Sequence, residues 1–376
     1  RKESSAASDV YKRQVLMVLG HSGFPGTDFI YLFHMALFFM LSGWLFSLRG
    51  GPVHFIKRKA VTLWLPFVLA NTAFTVLNNL FLKLNILTSD ERILQLPGNA
   101  VTTPVTVKDV IGRTVHWCVF DGGTQLGGAM WFIQALFQVS ILYALVEFIL
   151  QRLLHGADTL LPQGLFSGVL LWVGWRCGLA GWNVWGLGIA ASCYCLFYLG
   201  TVLRRTTREG IPAYQRGIFA AAAFAVLLIL GRLGSVGLAG NGYSSPIFLL
   251  LASLAGWVLV RETACLTAPL PCVRAVLAYL GRATMPIVIL HFLSFKLVTW
   301  LGLLATGGEP YLLAAFPIYF TGGAWWLAYT AAGLVMRLLR ANTEGKLDRE
   351  PQAIAKARMI VIDELGYVPI DEEGSR

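Results

Sequence analysis

Charge is scarce in this sequence. Asp, Glu, Lys and Arg make up 13% of its 376 residues, against 56% hydrophobic residues, and the mean hydropathy is +0.64. A water-soluble domain carries about a quarter charged residues, so a body of this length has too little polar surface to face water. Cysteine is also sparse. Cys118, Cys177, Cys193, Cys195, Cys265 and Cys272 show no metal-ligand spacing, and Cys193 and Cys195 sit inside an apolar run as small packing residues. A disulfide framework and a metal centre are therefore not expected. No internal repeat and no separate soluble catalytic domain can be discerned. The net charge of +10 does not point to nucleic acid, because the basic residues form short clusters between apolar runs, the pattern of loops on the cytoplasmic side of a membrane.

What is present is a series of long apolar segments. Lipid satisfies no backbone polar group, so a spanning segment must be helical and about 20 residues long. The runs predict helices at about Val15–His21, Phe29–Leu48, Val61–Leu82, Ala129–Leu150, Leu165–Ala180, Val184–Leu203, Gly217–Gly231, Pro246–Val260, Val276–Leu304 and Tyr311–Leu339. The expected fold class is all-α, a polytopic membrane bundle of about ten transmembrane helices. Arg49 and Lys57–Lys59, then Arg204, Arg205, Arg208 and Arg216, then Arg261 and Arg274, then Arg337 and Arg340 fall on one side if the helices alternate. That side is read as cytoplasmic, with both termini on it. Lys83–Gly128 is expected to lie outside, and Glu147 and Arg176 at the interfaces.

The chain divides into residues 1–14, 15–340 and 341–376. The first segment, RKESSAASDVYKRQ, resembles translated adapter read-through, which would replace a native start. The last ends in MIVIDELGYVPIDEEGSR and resembles the magnesium-binding strand of a transposon helper ATPase. The chain lacks the G-x-x-x-x-G-K-[ST] loop that such an ATPase needs, so this tail is read as a foreign fragment without activity.

Ionisable side chains at membrane depth are costly and mark candidate sites. His21 ends the first helix, His34 stands early in the second, and His291 stands midway along the ninth. The turn Ser22–Asp28 would set the first two helices side by side. Imidazole titrates near neutrality, so it can take a proton from a hydroxyl and return one to a leaving thiolate. The plainer reading of each histidine is an interhelical hydrogen bond. Lys296 either snorkels to the outer interface or binds a charged ligand. Lys57-Arg58-Lys59 is either a topology signal or a site for donor phosphates.

Five stretches carry a resemblance to a family: VLMVLGHSG, FHMALFFMLSGWLF, FIKRKAVTLWLPF, MWFIQALF and LGRATMPIVILHFLSFKLV. In order and spacing they resemble the acyltransferase-3 family of membrane acyltransferases, in the branch that includes fucose 4-O-acetylases. The resemblance places the family's essential histidine on His21. It also aligns Phe33, His34, Met35, Ser42 and Gly43 with the second-helix motif, Leu63 and Pro66 with the third, and Trp131 and Phe132 with the fourth. Ala36 stands where proline is usual, and the R-x-x-R pair becomes Lys59 and Thr62.

The resemblance implies transfer of an acetyl group from cytoplasmic acetyl-CoA to a hydroxyl of a cell-surface or lipid-linked glycan. The setting would be a bacterial cytoplasmic membrane, with no bound cofactor and no nucleic-acid partner. It implies His21 as general base or transient acyl carrier with His34 as its partner, Arg58 and Lys59 on the donor, and Trp131, His291 and Lys296 in acceptor or structural roles. Two other functions remain open. A glycan or lipid transporter or flippase fits the composition equally well, although transporters commonly show repeats. A haem cytochrome would need His21 and His34 on one helix, and SGFPGTD between them breaks it.

Overall fold

The computed structural model describes residues 15–207, 210–270 and 284–343, with side chains at 285–334 in the last stretch. The N-terminal segment and the ATPase-like tail lie outside the described residues. Helix α1 covers residues 15–21 and is followed by α2 (Thr27–Tyr31), α3 (His34–Trp44), α4 (Gly51–Val76), α5 (Asn78–Lys83) and α6 (Val107–Cys118). Then come α7 (Trp131–Leu153), α8 (Leu160–Leu179), α9 (Leu187–Thr206), α10 (Ala213–Leu233), α11 (Pro246–Thr267), α12 (Thr284–Thr306) and α13 (Trp325–Thr343). The strands among the described residues are one two-residue antiparallel pair, Val236–Gly237 with Gly242–Tyr243. The chain is a polytopic helical bundle, and seven described helical segments are long and apolar enough to cross a membrane.

The outside of the bundle is apolar, unlike that of a soluble protein, and polar side chains are buried among the hydrophobic core. Ile218, Phe219, Leu228 and Ile229 of α10 are exposed, while Asn71, Ser140, Gln163, Ser192 and Thr299 are fully buried. Lipid can cover the apolar outside; the inner polar groups need protein partners. Glu147, expected at an interface, is one of them. It is buried, and its carboxylate accepts from Gln151 (2.8 Å), Thr159 (2.9 Å) and Gln163 (3.1 Å). Three donors, one from its own helix and two from the start of α8, replace the water it has lost.

One end of the bundle gathers the basic residues. Arg204 donates to the carbonyl of Phe46 at 3.0 Å and Arg205 to Asp158 at 2.8 Å, tying the end of α9 to the α3–α4 and α7–α8 links. Arg216 at the start of α10 meets Glu262 at the end of α11 at 2.6 Å. At the other end Arg92 bridges Asp90 and Glu309.

Four expected segments differ in outline. The second helix breaks at Leu32–Phe33, where Phe33 leaves helical backbone (φ −141°) and the imidazole Nδ1 of His34 donates to the carbonyl of Ile30 at 3.0 Å. The third begins ten residues early, at Gly51. Gly50 and Gly51 turn the chain at positive φ, Pro52 suits a first helical turn, and the basic triplet lies inside the helix, followed by a π turn at Ala60–Trp64. The last begins late, at Trp325. Pro317 lacks an amide proton and Gly322 and Gly323 adopt positive φ, so 315–324 is a loop after a short 3-10 turn at Pro310–Ala314. Finally, the segment Lys83–Gly128 does not lie wholly beyond the bundle. Helix α6, started by a Thr106–Asp109 capping box, folds back along α4. Thr72 bonds Thr114 at 3.2 Å, and the Trp64 indole donates to the carbonyl of Cys118 at 2.8 Å.

Helix α9 packs on α3, α7 and α8. Its contact with α3 is backbone on backbone: a side chain at Gly43 would strike the carbonyl of Phe197, and one at Gly200 the carbonyl of Met40. Small residues let membrane helices approach this closely, which gains packing where no hydrophobic drive exists. The glycine that closes the second-helix motif is thus a packing residue. Gly200→Leu is expected to destabilise the bundle by about 2 kcal/mol or more, read as a fall in thermal midpoint in detergent. An unchanged midpoint would show that α3 and α9 can separate without cost.

Candidate functional site

The turn that ends α1 places His21 against α2. Tyr31, on the last residue of α2, reaches back eleven residues, and its hydroxyl donates to the carbonyl of Gly20 at 2.8 Å. The same oxygen lies 3.3 Å from Nδ1 of His21. A phenol has one hydrogen, and here the shorter bond to a carbonyl uses it. The His21 Nδ1 is therefore the donor in the second contact, which leaves Nε2 as the bare nitrogen. Gly20 accommodates the tyrosine ring, since a Cβ there would fall 2.8 Å from Tyr31 Cε1.

Two further histidines share this tautomer. In His34 the Nδ1 meets only the Ile30 carbonyl. In His291 the Nδ1 faces the carbonyls of Ile287 (2.9 Å) and Val288 (3.0 Å). A carbonyl accepts and never donates, so the ring proton sits on Nδ1 in both. The Nε2 of His291 is buried with no hydrogen-bond partner. A buried polar atom left unpaired costs on the order of 1–3 kcal/mol, so its presence calls for a partner from outside the protein.

The rings form one group. His21 stacks on His291 with centroids 5.5 Å apart and planes at 29°, and Tyr31 stacks on His34 at 5.0 Å and 22°. Tyr31 thus stands between His21 and His34. Phe292 closes the group, 5.0 Å from His21 and 4.0 Å from His291, and Phe316 packs on it at 4.5 Å. His34 and His291 are buried, and His21 is partly exposed. Three elements far apart in sequence therefore deliver three imidazoles to one apolar pocket. Because His21 and His34 stand on separate helices joined through Tyr31, they are not stacked axial ligands on one helix.

The other expected site residues lie apart from this group. Lys296 is 3% exposed, and its ammonium donates to the carbonyls of Ala314 (3.0 Å) and Ala315 (2.6 Å). It is buried rather than snorkelling, and two of its three N–H donors pin the loop that carries Phe316. Asn99 accepts from the Phe316 amide at 2.8 Å, which holds the same loop from the other side. Trp131 opens α7 and packs against the main core without a ring contact to the histidines among the described residues. Arg58 and Lys59 lie at the basic end of α4, where both cations lie over the Phe55 ring at 5.7 and 5.5 Å. Lys57 is exposed, Arg58 is half-buried and Lys59 is buried.

Tyr31 and Phe292 are the members of the group that sequence reasoning did not single out. The signal for Tyr31 was available: a phenol three residues before a membrane histidine lies close to the same helical face. Phe292 carried none, since it is one of 23 phenylalanines.

A family model described as an acyltransferase domain matches residues 14–339. A second, described as an IstB-like ATP binding protein, matches residues 317–376, so the C-terminus carries a fragment similar to that ATPase. No curated protein and no solved structure matches the chain.

The loop that carries Phe316 is held from one side by a buried cation. Lys296→Met removes both bonds to the loop, each worth about 1.5–3 kcal/mol when the donor is charged. Limited proteolysis in micelles is expected to cleave within 315–324 several times faster than in the parent chain. An unchanged cleavage rate would mean that the loop is held by other contacts.

Proposed function

Because this chain belongs to the acyltransferase-3 family over residues 14–339, it is a multi-pass membrane acyltransferase, and we propose that it moves an acetyl group from acetyl-CoA to a hydroxyl of a glycan. The setting is a bacterial cytoplasmic membrane, with both termini and the basic end of the bundle on the cytoplasmic side. The acceptor is a cell-surface or lipid-linked sugar.

The observation that carries this reading is the bare Nε2 of His21. Its Nδ1 proton is held by Tyr31, whose own proton is held by Gly20. This chain of bonds orients the ring and fixes Nε2 as the nitrogen able to accept a proton. In the proposed step the acceptor hydroxyl gives its proton to Nε2 of His21 as its oxygen attacks the thioester carbon. The C–S bond then breaks, and the thiolate takes the proton back from the imidazolium. Atoms and charge balance with no further reactant. The unpartnered Nε2 of His291 would accept a hydrogen bond from the incoming sugar or from water held beside it. His34 supports the base through Tyr31. The aromatic walls exclude bulk water, which would otherwise compete with the sugar for the acyl group.

The donor is assigned to the basic end of α4. Arg58 and Lys59 offer two cations to the phosphates of coenzyme A. From Lys59 to Asn71 the helix rises about 18 Å, and Asn71 bonds Thr124 in the segment that leads to Gly128 and Phe292. A thioester at the far end of an extended pantetheine arm suits that separation. A transporter needs neither an oriented base nor a donor site, so the tethered His21 favours the enzyme.

Three variants test the reading. His21→Ala is expected to lower transfer from labelled acetyl-CoA in membranes by at least about 100-fold, with insertion into the membrane unchanged. Tyr31→Phe keeps the base but frees its Nδ1, and should lower kcat by about tenfold. Activity like the parent's in the alanine variant would remove His21 from the chemistry. Arg58→Ala combined with Lys59→Ala should raise KM for acetyl-CoA by about tenfold or more; an unmoved KM would place the donor elsewhere.

A further inference from the structure

A cleft of about 350 Å³ opens between α6 and the outer end of α4, separate from the histidine group. Its volume falls in the range of small-molecule sites, about 300–1,000 Å³. One wall is aromatic, from Trp117 and Phe74. Trp117 is 7% exposed, and its indole N–H is buried with no hydrogen-bond partner.

The rim is polar and of mixed sign. Asp121 holds the imidazole Nδ1 of His116 at 2.7 Å through one carboxylate oxygen, and no described group bonds the other oxygen. Arg113 lines the same cleft and forms no ion pair among the described residues. Gln125 adds an amide on the side nearest the histidines. One guanidinium set against one carboxylate does not suit the several phosphates of a nucleotide donor. Flat polar groups around an aromatic wall suit a ring that presents hydroxyls at its edge and C–H bonds on its face: each hydroxyl both donates and accepts, and the C–H face packs on indole.

The cleft also lies beside the site. Its floor runs through Thr124, Gln125 and Leu126. Two residues further on is Gly128, whose exposed backbone lies across from Phe292: a Cβ there would be 3.7 Å from the Phe292 ring. Phe292 in turn touches His21 and His291. A short chain of contacts thus separates the cleft from the proposed base.

We propose that the cleft lined by Trp117, Asp121, Arg113 and Gln125 binds one pyranose unit of the acceptor glycan and presents the chain to His21. This deepens the acyl-transfer reading and rests on it for its purpose, but sugar binding is measurable without any transfer. Arg113 and Asp121 are exposed, so their replacement does not endanger the fold.

The test uses the full chain in nanodiscs and a set of methyl hexopyranosides, followed by saturation-transfer NMR. Ring C–H protons of at least one sugar should receive saturation. In the Arg113→Ala, Asp121→Asn double variant that signal should fall by about tenfold, as expected for loss of charge-assisted bonds. With a glycan acceptor the same variant should raise the acceptor KM by a similar factor and leave the KM for acetyl-CoA in place. No saturation of any sugar in the parent chain, or equal saturation in the double variant, overturns the assignment. Sugar binding without acetyl transfer would overturn the proposed reaction and leave the cleft standing. Transfer with an acceptor KM unmoved in the variant would do the reverse.

Discussion

Everything in this bundle is conditioned by the hydrocarbon around it, which leaves its interior remote from bulk water. A nitrogen or oxygen in that interior keeps a hydrogen bond only where the protein supplies the partner. The three imidazoles show the consequence most directly. Each Nδ1 is occupied, by Tyr31, by Ile30 or by the Ile287 and Val288 carbonyls. The tautomer is thereby set, and the second nitrogen of each ring is left for something else. At His291 nothing in the protein takes it. The same rule explains Glu147 with its ring of amide and hydroxyl donors, Lys296 on two carbonyls, and Glu262 between two arginines.

That constraint also shapes the helices themselves. At the break in the second segment the His34 ring holds the Ile30 carbonyl, and Tyr31, three residues before it, reaches back to His21. Gly43 and Gly200 contribute no side chain, and by that absence the backbone of α3 comes into contact with that of α9. The loop after α12 is tied down by Lys296 and Asn99 from opposite sides, so that Phe316 can press Phe292 towards the histidines. Packing and site geometry are therefore one system of contacts.

Legibility in the sequence differed by feature. The apolar runs of α7, α9 and α11 start close to where they were expected, because a twenty-residue hydrophobic stretch has one stable form in lipid. Helix ends set by charge were misjudged. Lys57–Lys59 reads as an end, yet Gly50, Gly51 and Pro52 start the helix before it, and long basic side chains sit comfortably within the first turns of a helix near an interface. Helix α6 was written in Thr106 and Asp109 but hidden by the polar character of its surroundings. Among the site residues, His21 and His34 could be picked out because a membrane histidine is rare. Lys296 could be noticed, but its partners come from eighteen and nineteen residues further on, across a loop that no local pattern foretells.

Composition and hydropathy alone settled that the chain lives in a bilayer as a helical bundle, since solvent preference is a sum over residues and needs no knowledge of contacts. Motif order alone pointed to acyl transfer. Which imidazole stacks on which, which nitrogen is bare, and which carbonyls a buried lysine holds were decided only by the tertiary structure. Those properties belong to pairs of groups brought together from distant parts of the chain, and one residue's identity does not carry its neighbour's position.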